Sequence, residues 1–370
     1  MHLTQKTYRS SDNMAYSTID DPTNFFRIKL YNGNNNAQNI AWDETDSNTS
    51  TNMQPDLLWI KSRSGNTVFN HVIGNAISGG DKYLHPNTTA AETSNANVIH
   101  TFNSNGFSVG GATFVSEGSR TYVAWGWKAN GSGSSDSNGN ISSTVSVDQT
   151  AGCSVVSYTG TGSAATIGHG LGAVPKFILN KSKADGEHWG TYHEGLGNGK
   201  ALALNLHDGA GTNSSYWNNT SPTTTVWSVG TSPLTNDNSA SVAFLFAEKK
   251  GYSKFGAYSG NNNADGPFVY LGFRPTWVLI KDGGSGQHWH LVDSKRDVGN
   301  DGDAQQLSPN TDDSEAEVKS NRGTLPIDLL STGFKVRTDG SSCNGTGAFV
   351  YAAFAESPIV NSNSIPNNAR

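Results

Sequence analysis

Tyr31-Asn-Gly33, followed by Pro55-Asp-Leu-Leu-Trp-Ile-Lys61, decides how this chain reads, because the same phrase returns twice. Tyr158-Thr-Gly160 leads to Pro175-Lys-Phe-Ile-Leu-Asn-Lys181, and Tyr258-Ser-Gly260 leads to Pro275-Thr-Trp-Val-Leu-Ile-Lys281. Outward from each phrase lies an aromatic two positions before a valine, in Phe107-Ser-Val109, Trp227-Ser-Val229 and Phe334-Lys-Val336. An apolar run then closes each stretch: Val123-Ala-Trp-Gly-Trp127, Val242-Ala-Phe-Leu-Phe246 and Val350-Tyr-Ala-Ala-Phe354. A fixed period signals one structural unit used again, here of roughly 100 residues.

Composition says what kind of unit this is. Hydrophobic residues make up 34% of the 370, charged residues only 15%, and glycine alone accounts for 42, so small polar residues fill the remainder. Such residues populate turns, because they tolerate unusual backbone angles or bond their own backbone, while aromatics at 10% supply large buried areas. In the second copy, short strands are expected at 155–158, 166–169, 177–181, 189–193, 201–206, 225–229 and 242–246. That density of short segments suits a sandwich, and the closing strand, apolar on both faces, is expected at a sheet centre. The expected fold is all-β, with three tandem antiparallel β-sandwich repeats of jelly-roll or lectin-like kind. A propeller blade is usually about half the period seen here.

The organisation follows. Residues 1–24 are polar and aperiodic and read as a docking arm; repeats are expected at 25–128, 145–250 and 251–357, with a flexible Gly/Ser/Asn linker at 129–144 and a tail at 358–370. Each repeat is expected to bury its own core. A net charge of −6 without a basic cluster excludes the electrostatics of nucleic-acid binding. Nothing approaches a membrane span, the first residues lack the apolar stretch of a secretory signal, and Cys153 and Cys343, at unmatched places, predict buried thiols rather than a disulfide framework.

Several stretches imitate chemistry. Asn261, Asn263 and Asp265 have the spacing of half a calcium loop, yet Gly272 stands where the bidentate glutamate is needed. His288 and His290 alternate on one strand, and His188 precedes Trp189 in register, but third and fourth zinc ligands have no source. Leu84-His-Pro-Asn-Thr88 with Glu92 matches Leu307-Ser-Pro-Asn-Thr311 with Glu315, read either as asparagine-anchored turns or as paired binding loops; the second copy offers Leu204-Asn-Leu206 instead. No nucleophile elbow and no recurring carboxylate pair argues for catalysis, and no cofactor is expected.

Taken together, Tyr-x-Gly at unit starts, Pro-x-x-x-Leu/Ile-x-Lys strands, Gly266-Pro-Phe-Val-Tyr-x-Gly-Phe-x-Pro275 and Tyr351-Ala-Ala-Phe-Ala-Glu356 resemble the triple-repeat virion structural, tail-fibre-like proteins of tailed bacteriophages of marine bacteria. The resemblance implies a non-enzymatic particle-surface protein, assembled in the host cytoplasm and released by lysis. The partners it implies are other virion proteins and a host-surface glycan or receptor, in a homo-oligomer of trimeric type. Capsid decoration or a head fibre is the alternative within that class. A lectin-like carbohydrate-binding module is the alternative outside it, with Trp189 and Trp289 as the expected aromatic platforms.

Overall fold

The computed structural model describes residues 17–42, 52–65, 69–184, 186–296, 300, 305–322 and 326–360. It is predominantly β, with several antiparallel sheets and no barrel. The first large sheet runs, in spatial order, Phe26–Asn32, Thr121–Trp127, Leu57–Ser62, Val72–Asn75. The last runs Ser253–Ser259, Ala348–Pro358, Phe273–Asp282, His290–Asp293. Between them in sequence, Cys153–Thr159, Ala240–Ala247, Pro175–Ser182 and Gly190–His193 form the centre of an eight-stranded sheet. In all three the apolar closing strand lies between two others, where both of its faces are covered.

Alternation then assigns each face. In the strand opened by Pro55, Leu57 and Trp59 point into one cluster and Leu58 and Ile60 into another. Phe177 and Leu179 alternate with Ile178, and Trp277 and Leu279 with Val278 and Ile280, in the same way. One set of faces meets small local sheets: Gln38–Ala41 with Gly106–Val109 and Ile99–Asn103, Ala165–Gly168 with Val226–Val229, and Phe268–Tyr270 with Gly333–Val336 and Ile327–Leu330. The other set of faces converges on one shared apolar centre. There Trp127, Phe246 and Phe354, one from each closing strand, meet with ring centroids 6.1, 5.6 and 5.6 Å apart. Those separations suit aromatic pairs. A cavity of about 10 Å³ among these side chains barely reaches the size of one water and is lined by apolar groups.

The tyrosine and glycine of the recurring phrase have specific tasks. The hydroxyls of Tyr31, Tyr158 and Tyr258 donate to the carbonyls of Val115, Thr235 and Cys343 at 2.9, 2.7 and 2.6 Å. Those acceptors lie in the one-turn helices Thr113–Ser116, Pro233–Asn236 and Ser341–Asn344, so each tyrosine pins a helical turn ahead of its closing strand. At Gly33, Gly160 and Gly260, a β-carbon would stand 2.1, 1.9 and 1.8 Å from the carbonyl oxygens of Glu117, Asp237 and Gly345. Only glycine lets the chains pass that closely.

Two expectations need correction. Residues 129–144 are not a free linker: Ser134–Asp136 pairs with Ser143–Asp148 at one end of the eight-stranded sheet, and Ile141 is buried. The composition misled because its polar side chains serve local bonds, such as Asn138 N–H to Asp136 Oδ1 at 2.8 Å. Each large sheet does bury a core of its own against its local sheet, as expected, and spends its other face on the shared centre, which the sequence did not announce. The helix Glu315–Arg322 was also missed, although Ser314 and Glu317 form a capping box in which Ser314 N–H donates to Glu317 Oε2 at 2.7 Å. Of the expected arm, 1–16 lies outside the described residues, while Ile19 packs into the shared centre; of the expected tail, 361–370 likewise lies outside.

Candidate functional site

Trp189 and Trp289 do not offer ring faces to a sugar, because they are only 0% and 2% exposed. Each sits one residue before the strand that pairs with the Pro-opened strand, packs in the shared centre and donates its indole N–H across to another sheet's segment: Trp189 to the His85 carbonyl at 3.0 Å, Trp289 to the Ala203 carbonyl at 3.1 Å. His71 holds the corresponding place before Val72 and bonds the Ser308 carbonyl through Nε2 at 3.2 Å. The Trp59 indole, which can only donate, bonds His71 Nδ1 at 3.0 Å, so the imidazole carries its proton on Nε2. Burial pushes the His71 pKa well below its ordinary value, in keeping with a neutral ring. Second to first, third to second and first to third, these bonds close a ring.

A second ring runs alongside. The backbone N–H groups of Glu92, Ala210 and Glu315 donate to the carbonyls of Lys183, Gly283 and Arg63, each at 3.0 Å. The acceptors stand two residues beyond Lys181, Lys281 and Lys61, the lysines that end the recurring phrase. Those lysines are buried and spend their ammonium groups on carbonyls: Lys61 on Ser62 and Asp312 at 3.1 and 2.9 Å, Lys281 on Asp282 at 2.7 Å. Desolvation lowers both Lys61 and Lys281 to about 8.

The Leu-x-Pro-Asn-Thr turns belong to the same seams. Asn87 Oδ1 accepts from the His71 N–H at 3.1 Å and Asn310 Oδ1 from the Trp289 N–H at 3.1 Å. Asn205 Oδ1 accepts from the Trp189 N–H at 3.0 Å, so the matching stretch is Leu202-Ala-Leu-Asn205, three residues long after the leucine, and not Leu204-Asn-Leu206. The two glutamates are seam ion pairs rather than ligands of a binding loop: Glu92 with Lys183 at 3.2 Å, Glu315 with Arg63 at 2.9 Å and Arg296 at 3.1 Å. Arg296 is also paired with Asp293 at 2.5 Å, whose carboxylate further accepts from the Trp125 indole at 3.0 Å and from the backbone N–H groups of Lys295 and Arg296 at 3.1 and 3.0 Å. The anchoring asparagine was the signal the sequence carried in all three places, hidden by the absence of proline in one.

The calcium-like spacing is a run of local turns. Asn261 Oδ1 accepts from Asn263 N–H and from Asn344 Nδ2, Asn263 Oδ1 accepts from Asp265 N–H, and the Asp265 carboxylate faces Lys335 at 2.8 Å. Its hydrogen bond and charge from Lys335 hold the Asp265 pKa low. The histidine pair is likewise engaged by amides, His288 Nδ1 with Asn310 at 2.7 Å and His290 Nδ1 with Gln306 at 2.7 Å. Among the described residues no group of three or more His, Cys, Asp or Glu could hold a metal, and no helix is long and apolar enough to cross a membrane. Cys153 and Cys343 are free, buried thiols in different clusters.

One surface feature escaped the sequence reading. Phe268 and Tyr270, 46% and 52% exposed, flank the buried Val269 on an edge strand. No curated protein and no solved structure matches the chain. The family model described as a domain of unknown function, DUF7483, matches residues 21–358, a span holding every sheet described above, and the chain belongs to that family.

Proposed function

We propose that the chain is three tandem β-sandwich repeats wrapped about one axis, and that it serves without catalysis as a structural, receptor-facing protein on the surface of a phage particle. The observation that carries this reading is the pair of hydrogen-bond rings around the Trp127, Phe246 and Phe354 contact. Three sandwiches turning equivalent faces to a common centre reproduce, within one chain, the arrangement that trimeric surface proteins make from three. The polar groups that could have served chemistry, His71, Glu92, Asn205 and Glu315 among them, are committed to the seams. On this reading the ring inside one chain stands in for the homotrimer expected from sequence. The resemblance of the recurring phrases to tail-fibre-like virion proteins supports the location.

Immunogold labelling and cryo-EM of purified particles test the location, and absence of the protein from washed particles ends it. Light scattering on the free protein tests the architecture. A mass near 39.2 kDa is expected, whereas an obligate trimer contradicts a ring closed by one chain.

A further inference from the structure

Outside the seams, the sheets can be compared position by position, which turns each into a control for the others. In the small sheets Val269, Ile40 and Ile167 pair with Phe334, Phe107 and Trp227, so these three are the same buried position. Their outward neighbours therefore correspond as well. Phe268 takes the place of Asn39 and Thr166, and Tyr270 the place of Ala41 and Gly168. The scaffold thus builds this strand twice with small or polar residues on the outer face and once with two aromatic rings that packing does not demand. Two large aromatics kept about half exposed side by side on one strand face form an apolar patch of the kind that contact surfaces use.

We propose that Phe268 and Tyr270 form a carbohydrate-binding platform that stacks on the apolar faces of consecutive pyranose rings in a neutral hexose polysaccharide. Alternation puts both rings on one face, and two residues of strand advance place them about 6.6 Å apart, enough to engage more than one sugar ring. The surroundings supply hydrogen bonds for hydroxyls. Lys335 lies opposite Phe268 in the ladder and is paired with the exposed Asp265, and Lys254 lies 5.5 Å from the Tyr270 ring centroid. Donors and an acceptor therefore ring an apolar patch, the combination a sugar presents in reverse. Two side chains are far too small a footprint for a stable protein interface, which needs roughly 800 Å² per partner. The net charge of −6 disfavours a nucleic acid stacking on the same rings.

This deepens the receptor-facing reading by naming a ligand class, but it is tested on free protein, so its failure leaves the particle location standing and particle absence leaves it standing in turn. The experiment is affinity electrophoresis and calorimetry with cello-, laminari-, manno- and galacto-oligosaccharides of six units. Binding to at least one series is expected, with at least a tenfold loss in F268N/Y270A, which installs residues already used at this register, and retention in Y270F. Unchanged melting temperatures show that the variants are folded. No binding to any series up to about 10 mM overturns the proposal. Binding that F268N/Y270A leaves intact also overturns it, as does a change of oligomeric state in that variant, which would assign the rings to a contact between copies.

Discussion

Replacing Phe354 with alanine tests the shared centre most directly. The ring is 2% exposed and lies within 6 Å, centroid to centroid, of Phe26, Trp127, Phe246, Trp277, Phe255 and Tyr252, which come from all three large sheets. Truncating a buried phenylalanine costs about 3–5 kcal/mol, the larger values where the surroundings cannot collapse into the void. Here the cavity would be walled by rigid rings on strands held in three sheets, so a loss near the top of that range is expected, about 4–5 kcal/mol. That is a third or more of the stability of a typical domain. Urea unfolding followed by tryptophan fluorescence and by near-ultraviolet dichroism reads it. Because the face is common property, both probes should move together and the transition should stay single. Two steps, one at the wild-type midpoint, would mean that the thirds fold independently, and a loss below about 2 kcal/mol would mean that the centre is loosely packed; either result refutes the reasoning.

Three further outcomes follow. Gly260→Ala should cost about 1–3 kcal/mol or more through collision with the Gly345 carbonyl, and thermal melting that is unchanged would remove the explanation offered for the Tyr-x-Gly phrase. Lys61 holds its proton up to 10.5 when unfolded but only to about 8 when folded, so the unfolded state binds more protons in between and stability should rise with pH there. Relative to K61M, the wild-type protein should gain about 1.5 kcal/mol between pH 8 and 9.5, while parallel urea midpoints across that window would show the ammonium is not desolvated. Trp127→Phe removes an indole N–H that has no acceptor among the described residues and installs the ring that Phe246 and Phe354 already supply, so a change within about 1 kcal/mol is expected. Trp125→Phe, which strips a donor from the buried Asp293 carboxylate, should cost clearly more by the same assay.

What was legible in the chain follows physical lines. The strands around Leu57–Ser62, Pro175–Ser182 and Phe273–Asp282 could be read because a strand apolar on both faces has few alternatives. Its cause was half visible: one apolar face met a local sheet, and the other met two neighbours that no local pattern announces. Trp189 and Trp289 were misplaced for that reason, since a strand-end tryptophan reads the same whether it faces water or a seam. Lys61, Lys181 and Lys281 end apolar runs in the sequence, whereas their burial depends on carbonyls that periodicity does not display: Ser62 and Asp312 for the first, Ser182 and Ala184 for the second, Asp282 and Ser285 for the third. Phe268 and Tyr270 went unremarked because, without register, Val269 and its neighbours look like one more apolar strand.

Holding three seams in one polypeptide has a consequence for how such a surface can change. In an assembly of identical subunits every substitution appears three times and must be tolerated at each place. Here the joints already differ: glutamate meets lysine at one, alanine meets glycine at another, and glutamate meets two arginines at the third. Each joint is free to drift by itself, and a new contact can be tried on one side of the molecule while the other two keep it standing.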